Sequence, residues 1–287
     1  LNREKAQSLL DKGAKWGESP KSIIEFTDMI ITCLPSPKVS AKVMEEKNGI
    51  LKGISEGKVW LEMSTTDEIE VKRLGELVKK FGGEAADCPV SGGCHRAETG
   101  NISIFVGSER ETFDKIFPTL KFMGRSILHT GDLGSASTLK VLTNFLATAN
   151  LVSLCEALIT AKKSGMDLKT TYEAIRISSG NSFVHETESQ VILNGSRDIN
   201  FTMDLVLKDI SIFQSIADRS GVPLEISPIL IDIFKDGERR YGAREWSSNI
   251  VRRLEDACNT KILASGFPDQ MVDKEPEEMG EEVVISN

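Results

Sequence analysis

The hydrophobic pattern of this chain changes its period once, at Gly131. Before that glycine, short continuous apolar runs alternate with stretches of helical periodicity; after it, only helical periodicity remains. The runs at 29–35, 58–63, 84–90, 102–106 and 126–130 have the length and the continuous apolar character of strands buried on both faces. Between and around them, 4–12, 21–26, 38–46, 67–81 and 110–122 have helical composition or periodicity. Strands separated by helices of this size imply right-handed βαβ units on a mostly parallel sheet. Beyond Gly131, residues 135–163 predict a single helix about 43 Å long. Its middle is apolar nearly all round, which requires burial on every side. The expected fold is thus an α/β domain over 1–133 followed by an all-α domain over 134–287, with that helix as its spine. The tail from Asp269 is acidic and aperiodic and reads as a surface arm.

Composition narrows the function. Among 287 residues, 43 Asp+Glu outnumber 35 Lys+Arg, for a net charge of −8. A nucleic-acid binder acting through phosphate contacts needs the opposite balance. Five cysteines, an odd number without C-x-x-C spacing, fit a reducing cytosol, and three histidines with no i, i+4 pair leave no basis for a metal site. Asn144, Asn150 and Glu156 interrupt the longest apolar stretch, so no membrane span is expected, and a soluble, cytoplasmic protein is. Hydrolase and kinase signatures are absent: there is neither a G-x-S-x-G elbow nor a G-x-x-x-x-G-K-[ST] loop. The G-x-G-x-x-G turn of dinucleotide-binding folds is missing as well.

Four constellations carry possible chemistry. Lys140 enters the apolar helix with Asn144 four residues on, so both project from one face. Desolvation there would lower the amine pKa, as a general acid or base near neutrality needs; a lysine reaching water from a helix end is the alternative. Asp87-Cys88-Pro89-Val90-Ser91-Gly92-Gly93 is a strand that stops in a hydroxyl and two glycines, whose open backbone N–H groups can cradle a carboxylate or phosphate, or simply make a turn. Leu34-Pro35 and Ser64-Thr65-Thr66 end two other strands on the same expected rim, with helix capping the favoured role for Thr66. Lys208 and Asp209 follow the amphipathic turn that begins at Phe201; without context they are a solvated charge pair.

Taken in this order, the four segments resemble the β-hydroxyacid dehydrogenase family, along essentially the whole chain. The resemblance implies an NAD(P)-dependent oxidoreductase with a Rossmann-like N-terminal domain, acting on a small 3-hydroxy acid or its semialdehyde. It makes Lys140 the catalytic acid or base, within the pattern Gly131, Gly134, Lys140, Asn144. Ser91, Gly92, Gly93, Asn144 and Asp209 would bind the substrate carboxylate or close the site. Asn2, Arg3, Leu34, Pro35, Thr65, Phe201 and Lys208 would face the cofactor. A homodimer or homotetramer is implied too, in keeping with the extensive apolar helices.

Two departures stand out. Thr143 replaces the first asparagine of the family's K-x-x-N-N pattern, leaving the lysine assignment intact, and a histidine would be wanted there in a 6-phosphogluconate dehydrogenase. Imine reductases usually replace the lysine. Asn2-Arg3 resembles the segment that follows the family's second strand, so the opening strand, glycine-rich turn and first helix are missing and the chain is expected to be a truncated form of the enzyme. An arginine at that place can stack on adenine and meet a 2′-phosphate, which favours NADP over NAD. The competing class is a non-catalytic relative, or a truncated chain, serving as an oligomerisation or binding module; loss of the lysine would be its signature, and Lys140 is present.

Overall fold

The computed structural model describes residues 3–285. A 3-10 turn, Arg3–Ala6, leads into the short helix α1 (Gln7–Leu10), and α2 (Pro20–Phe26) follows. The strands are β1 (Met29–Thr32), β2 (Val59–Glu62), β3 (Glu84–Asp87), β4 (Val90–Ser91), β5 (Ser103–Gly107), β6 (Ser126–Gly131) and β7 (Glu281–Glu282). They form one sheet in the order β1-β2-β3-β5-β6-β7, with β4 pairing β5 from the side. The parallel run β1-β2-β3 is crossed over by α3 (Pro37–Glu45) and α4 (Glu68–Lys80). The chain then turns back through α5 (Cys94–Glu98), so that β5 meets both β3 and β4 antiparallel, and α6 (Arg110–Leu120) returns it to β6 parallel to β5.

The continuous apolar character of these strands has a direct cause. Val59 and Leu61 of β2 pack into one cluster with Ile104, Phe113, Ile116 and Ile127, whereas Trp60 between them packs on the opposite face with Ile24, Met44, Leu74 and Val78. Successive residues point to opposite faces and both faces are covered. Helix starts follow the short polar residues: Ser19 accepts from Ser22 N ahead of Pro20, and Ser36 accepts from Val39 N. At α4 the expected cap is displaced by one residue. Asp67, not Thr66, accepts from Ile69 N, and Thr66 is buried with its hydroxyl unpartnered.

The helical part begins with α7 (Ser135–Lys163), as the periodicity predicts, and continues through α8 (Leu168–Arg176), α9 (Phe183–Asn194), α10 (Met203–Arg219), α11 (Ile226–Tyr241) and α12 (Arg252–Cys258). Leu151, Leu154 and Leu158 of α7 form its core with Met203, Ile210 and Phe234. A buried ion pair, Arg197 to Glu255 at 2.9 Å, is completed by Ile262 N donating to the same carboxylate oxygen at 2.8 Å. Helix α7 also packs against β5, β6 and α4, so its first turns belong to both halves of the molecule.

The acidic tail does not stay with the helices. Asp273 accepts from Thr99 Oγ1 at 2.6 Å and Asn101 Nδ2 at 2.7 Å, Glu275 pairs with Arg96 and Arg125, and β7 adds a parallel strand to β6. Two consecutive glutamates carry no strand pattern, so periodicity had nothing to detect. At the other end of the sheet, β1 pairs only with β2 among the described residues, and Ile31 is 40% exposed.

Candidate active site

The site lies where the C-terminal ends of the strands meet the first turns of α7. Asp87, the last residue of β3, is fully buried, and its carboxylate accepts Gly134 N at 2.7 Å and Ser137 N at 2.6 Å. It therefore holds the open N-terminal amides of α7, where the helix dipole also favours negative charge. Burial nevertheless pushes this carboxyl above the usual range, with the amide donors offsetting only part of the effect. Past Asp87 the chain runs through Pro89 and β4 to Gly92 and Gly93. Their φ values of +132° and +86° suit glycine alone, and a Cβ on Gly93 would stand 3.1 Å from the His95 ring. Among the described residues neither glycine N–H is used in a backbone hydrogen bond, which leaves both open to an anion.

Lys140 sits one turn into α7 and is only 7% exposed. Its ammonium donates to Asn144 Oδ1 at 2.7 Å, and Asn144 Nδ2 donates in turn to Asp209 Oδ2 at 2.6 Å. Asp209, also buried, forms an ion pair with Lys208 at 2.8 Å, and the Lys208 amine donates to the backbone oxygen of Thr65. This chain of contacts joins α7, α10 and the loop after β2. Burial is the main cause that brings the Lys140 amine down to about 8; Asp209 opposes the shift and Lys208 adds to it. An amine tuned in this way can give or take a proton near neutral pH.

A cavity of about 360 Å³ opens between the two halves, and its lining includes Thr65, Ser91, Gly92, Gly93, Lys140, Asn144 and Phe201. Seven of the residues singled out in the sequence are thus brought around one space. Lys208 and Asp209 stand behind it, tied to it through Thr65 and Asn144. Leu34 and Pro35 lie farther along the rim, where Leu34 N donates to Ser64 Oγ at 2.7 Å and Ser64 in turn donates to the buried Glu62. Arg3 is exposed in the opening turn, its guanidinium 6.0 Å from the centre of the Trp16 ring, and does not line the cavity. Asn2 lies outside the described residues. Cys94, His95, Glu188 and Met271 also line the space. Of these, only Glu188 left a trace in the pattern, as an acid on the apolar stripe of α9 between Val184 and Ile192.

The chain is similar to known proteins over most of its length. Residues 1–131 match the family model for the NAD binding domain of 6-phosphogluconate dehydrogenase, and 134–254 match that for the NAD-binding region of NADP-dependent 3-hydroxyisobutyrate dehydrogenase. The chain is 30% identical to 2-(hydroxymethyl)glutarate dehydrogenase of Eubacterium barkeri, over 89% of its own length and 85% of the relative's. It is 28% identical to 2-hydroxy-3-oxopropionate reductase of Escherichia coli, over 90% and 88%. Among solved structures, 3-hydroxyisobutyrate dehydrogenase of Mycobacterium tuberculosis with L-serine is similar in fold at TM-score 0.76, 20% identity and 88% coverage of both chains. Psf3 in complex with NADP+ and 2-OPP is similar at TM-score 0.81 and 22% identity, covering 88% of this chain and 89% of its own.

Proposed function

This chain belongs to the β-hydroxyacid dehydrogenase family and is an NAD(P)-dependent oxidoreductase for a small carboxylate-bearing substrate; we propose that it interconverts a 3-hydroxy acid and its semialdehyde. The observation that carries this reading is a buried, pKa-lowered lysine sharing one cavity with a two-glycine anion cradle. Ser91, Gly92 and Gly93 hold the substrate carboxylate. Lys140 takes the hydroxyl proton during oxidation and returns it to the nascent alkoxide during reduction. Asn144 fixes the amine through its side-chain oxygen, and Asp209 fixes Asn144. Thr65 and Phe201 on the cavity, with Lys208 behind Thr65 and the Leu34-Pro35 loop farther along the rim, would hold the nicotinamide end of the cofactor. Bound there, the cofactor supplies the hydride acceptor or donor, and the protein supplies position and proton. We favour NADP because of Arg3, with Asn2 beside it in sequence.

The relatives named above act on acids with a hydroxyl or oxo group near the carboxylate, in keeping with this reading. A panel of 3-hydroxy acids, each assayed with NAD and with NADP, tests it. Reduced cofactor should form with at least one of them, faster with NADP; no reduction across the panel would overturn the reading.

Five free cysteines support a cytoplasmic location, and the net charge of −8 supports the absence of a nucleic-acid partner. Helix α7 is long and apolar enough to cross a membrane by length and composition. We read it as an interior helix, because it carries Lys140 and Asn144 to the cavity and packs against α9 and α10. Leu139, Leu142 and Leu146, spaced along one face of α7 and exposed, support a homodimer or homotetramer, which light scattering on the purified chain would verify.

A further inference from the structure

One half-buried acid on the cavity has no part in the chemistry just described. Glu188 stands on the inward stripe of α9, with Val184 one turn before it and Val191 and Ile192 one turn after, all three buried. It lines the same space as Lys140, Ser91, Gly92 and Gly93, with Thr187 beside it. Its Oε2 is sealed from solvent and has no hydrogen-bond partner among the described residues. Burial alone, with no neighbouring charge to offset it, pushes the carboxyl up to about 7.

A structural role would leave a different signature. Glu255, a fully buried glutamate of the helical part, receives Arg197 and Ile262 N on one carboxylate oxygen. Glu188 Oε2 receives nothing among the described residues, and a leucine or methionine would fill an apolar stripe without the cost of desolvating an acid. An unpartnered acceptor on the cavity that also contains the two-glycine loop is the complement of a donor carried by the ligand itself.

We propose that Glu188 is a specificity-determining residue: it accepts a hydrogen bond from an ammonium or hydroxyl substituent on the substrate whose carboxylate the 91–93 loop holds. The inference rests on the function proposed above and adds to it the class of substrate preferred. A hydrocarbon substituent would leave the carboxyl unsatisfied, and sites built around a buried polar group reject such analogues strongly.

The test is a set of 3-hydroxypropanoates bearing methyl, hydroxymethyl, hydroxyl or ammonium at C2, turned over by the wild-type chain, Glu188→Leu and Glu188→Gln. The wild type should favour the donor-bearing members over the methyl compound by at least about 10-fold in kcat/KM, and Glu188→Leu should bring that ratio close to one. Glu188→Gln separates the two donors: keeping the hydroxyl preference while losing the ammonium preference identifies a cation, and losing neither identifies a hydroxyl. A ratio unchanged in Glu188→Leu, or a wild-type preference for the methyl compound, overturns the inference while leaving the dehydrogenase reading in place. If nothing in the set is turned over, that reading fails first, and calorimetry with 2-amino-3-hydroxypropanoate and with 2,3-dihydroxypropanoate decides the remainder. Weaker binding of either ligand to Glu188→Leu than to wild type supports the role; equal affinity for both overturns it. Thermal melting guards against a structural explanation: both variants should melt no lower than wild type, and a clear drop in both would assign Glu188 to the fold instead.

Discussion

The two walls of the cavity are made of different material. On the α/β side the cavity meets Gly92 and Gly93, which offer only backbone, with the Ser91 hydroxyl and the Thr65 loop beside them. On the helical side they are side chains, Lys140 and Asn144, joined through Asp209 to Lys208. Backbone donors are fixed by strand ends and positive φ angles and have no charge to titrate. A buried amine has the reverse properties, since its charge depends on its surroundings. The first wall is suited to holding an anion in place and the second to moving a proton. The division also separates the measurable consequences of damaging each.

The largest effect should come from the helical wall. Lys140→Met removes the proton donor and acceptor while keeping most of the buried volume, so kcat should fall roughly 100-fold or more with KM little changed. Steady-state kinetics measures this, and a variant with wild-type kcat would break the division of labour. Next is the residue that joins the walls. In Asp87→Asn one of the two α7 amides would face an NH2 group instead of an acceptor. A loss of about 1–3 kcal/mol in unfolding free energy is expected, as for a buried donor left unmade, and urea denaturation reads it. A smaller effect is expected on the α/β wall, where Gly93→Ala adds a methyl at φ +86° against the His95 ring. KM for the carboxylate substrate should rise by about 10-fold as the cradle distorts, while kcat holds within a few-fold. A fall in kcat as large as that of Lys140→Met would show that the cradle takes part in the chemistry.

The same contrast explains what the sequence made legible. Strands buried on both faces leave continuous apolar runs, so β1 and β2 are visible from composition and period alone; α7 is visible by the same signal, but its burial on every side, expected from that signal, is not found, since Leu139, Leu142 and Leu146 leave one apolar face exposed. Lys140 is conspicuous because it is charged where its neighbours are not. Hidden features depend on contacts distant in sequence. Asp87 looks like an ordinary strand-end residue until Gly134 and Ser137 are seen to donate to it. The return of the tail rests on Asp273, Glu275 and two glutamates of β7, whose partners at Thr99, Asn101, Arg96 and Arg125 lie some 150 or more positions earlier. The cap of α4 was misplaced by one residue because Thr66 and Asp67 are both good caps; burial of Thr66 decided between them.

The finest test concerns how the helical wall sets its charge. Lys140 sits at about 8 chiefly through burial, with Asp209 raising the value and Lys208 lowering it. Oxidation of the hydroxy acid needs the neutral amine, so kcat/KM should climb with pH and level off above about 8. Reduction needs the ammonium form and should show the mirror profile, falling as pH rises through the same value. Asp209→Asn removes the group that favours the charged amine, so the midpoint should move to lower pH in both directions. The pH dependence of kcat/KM, recorded for wild type and variant under saturating cofactor, measures the shift. A role for Asp209 confined to positioning Asn144 would lower the rate at every pH and leave the midpoint where it was. A midpoint that moved upward would contradict the sign of the Asp209 interaction and overturn the electrostatic link from α10 to Lys140.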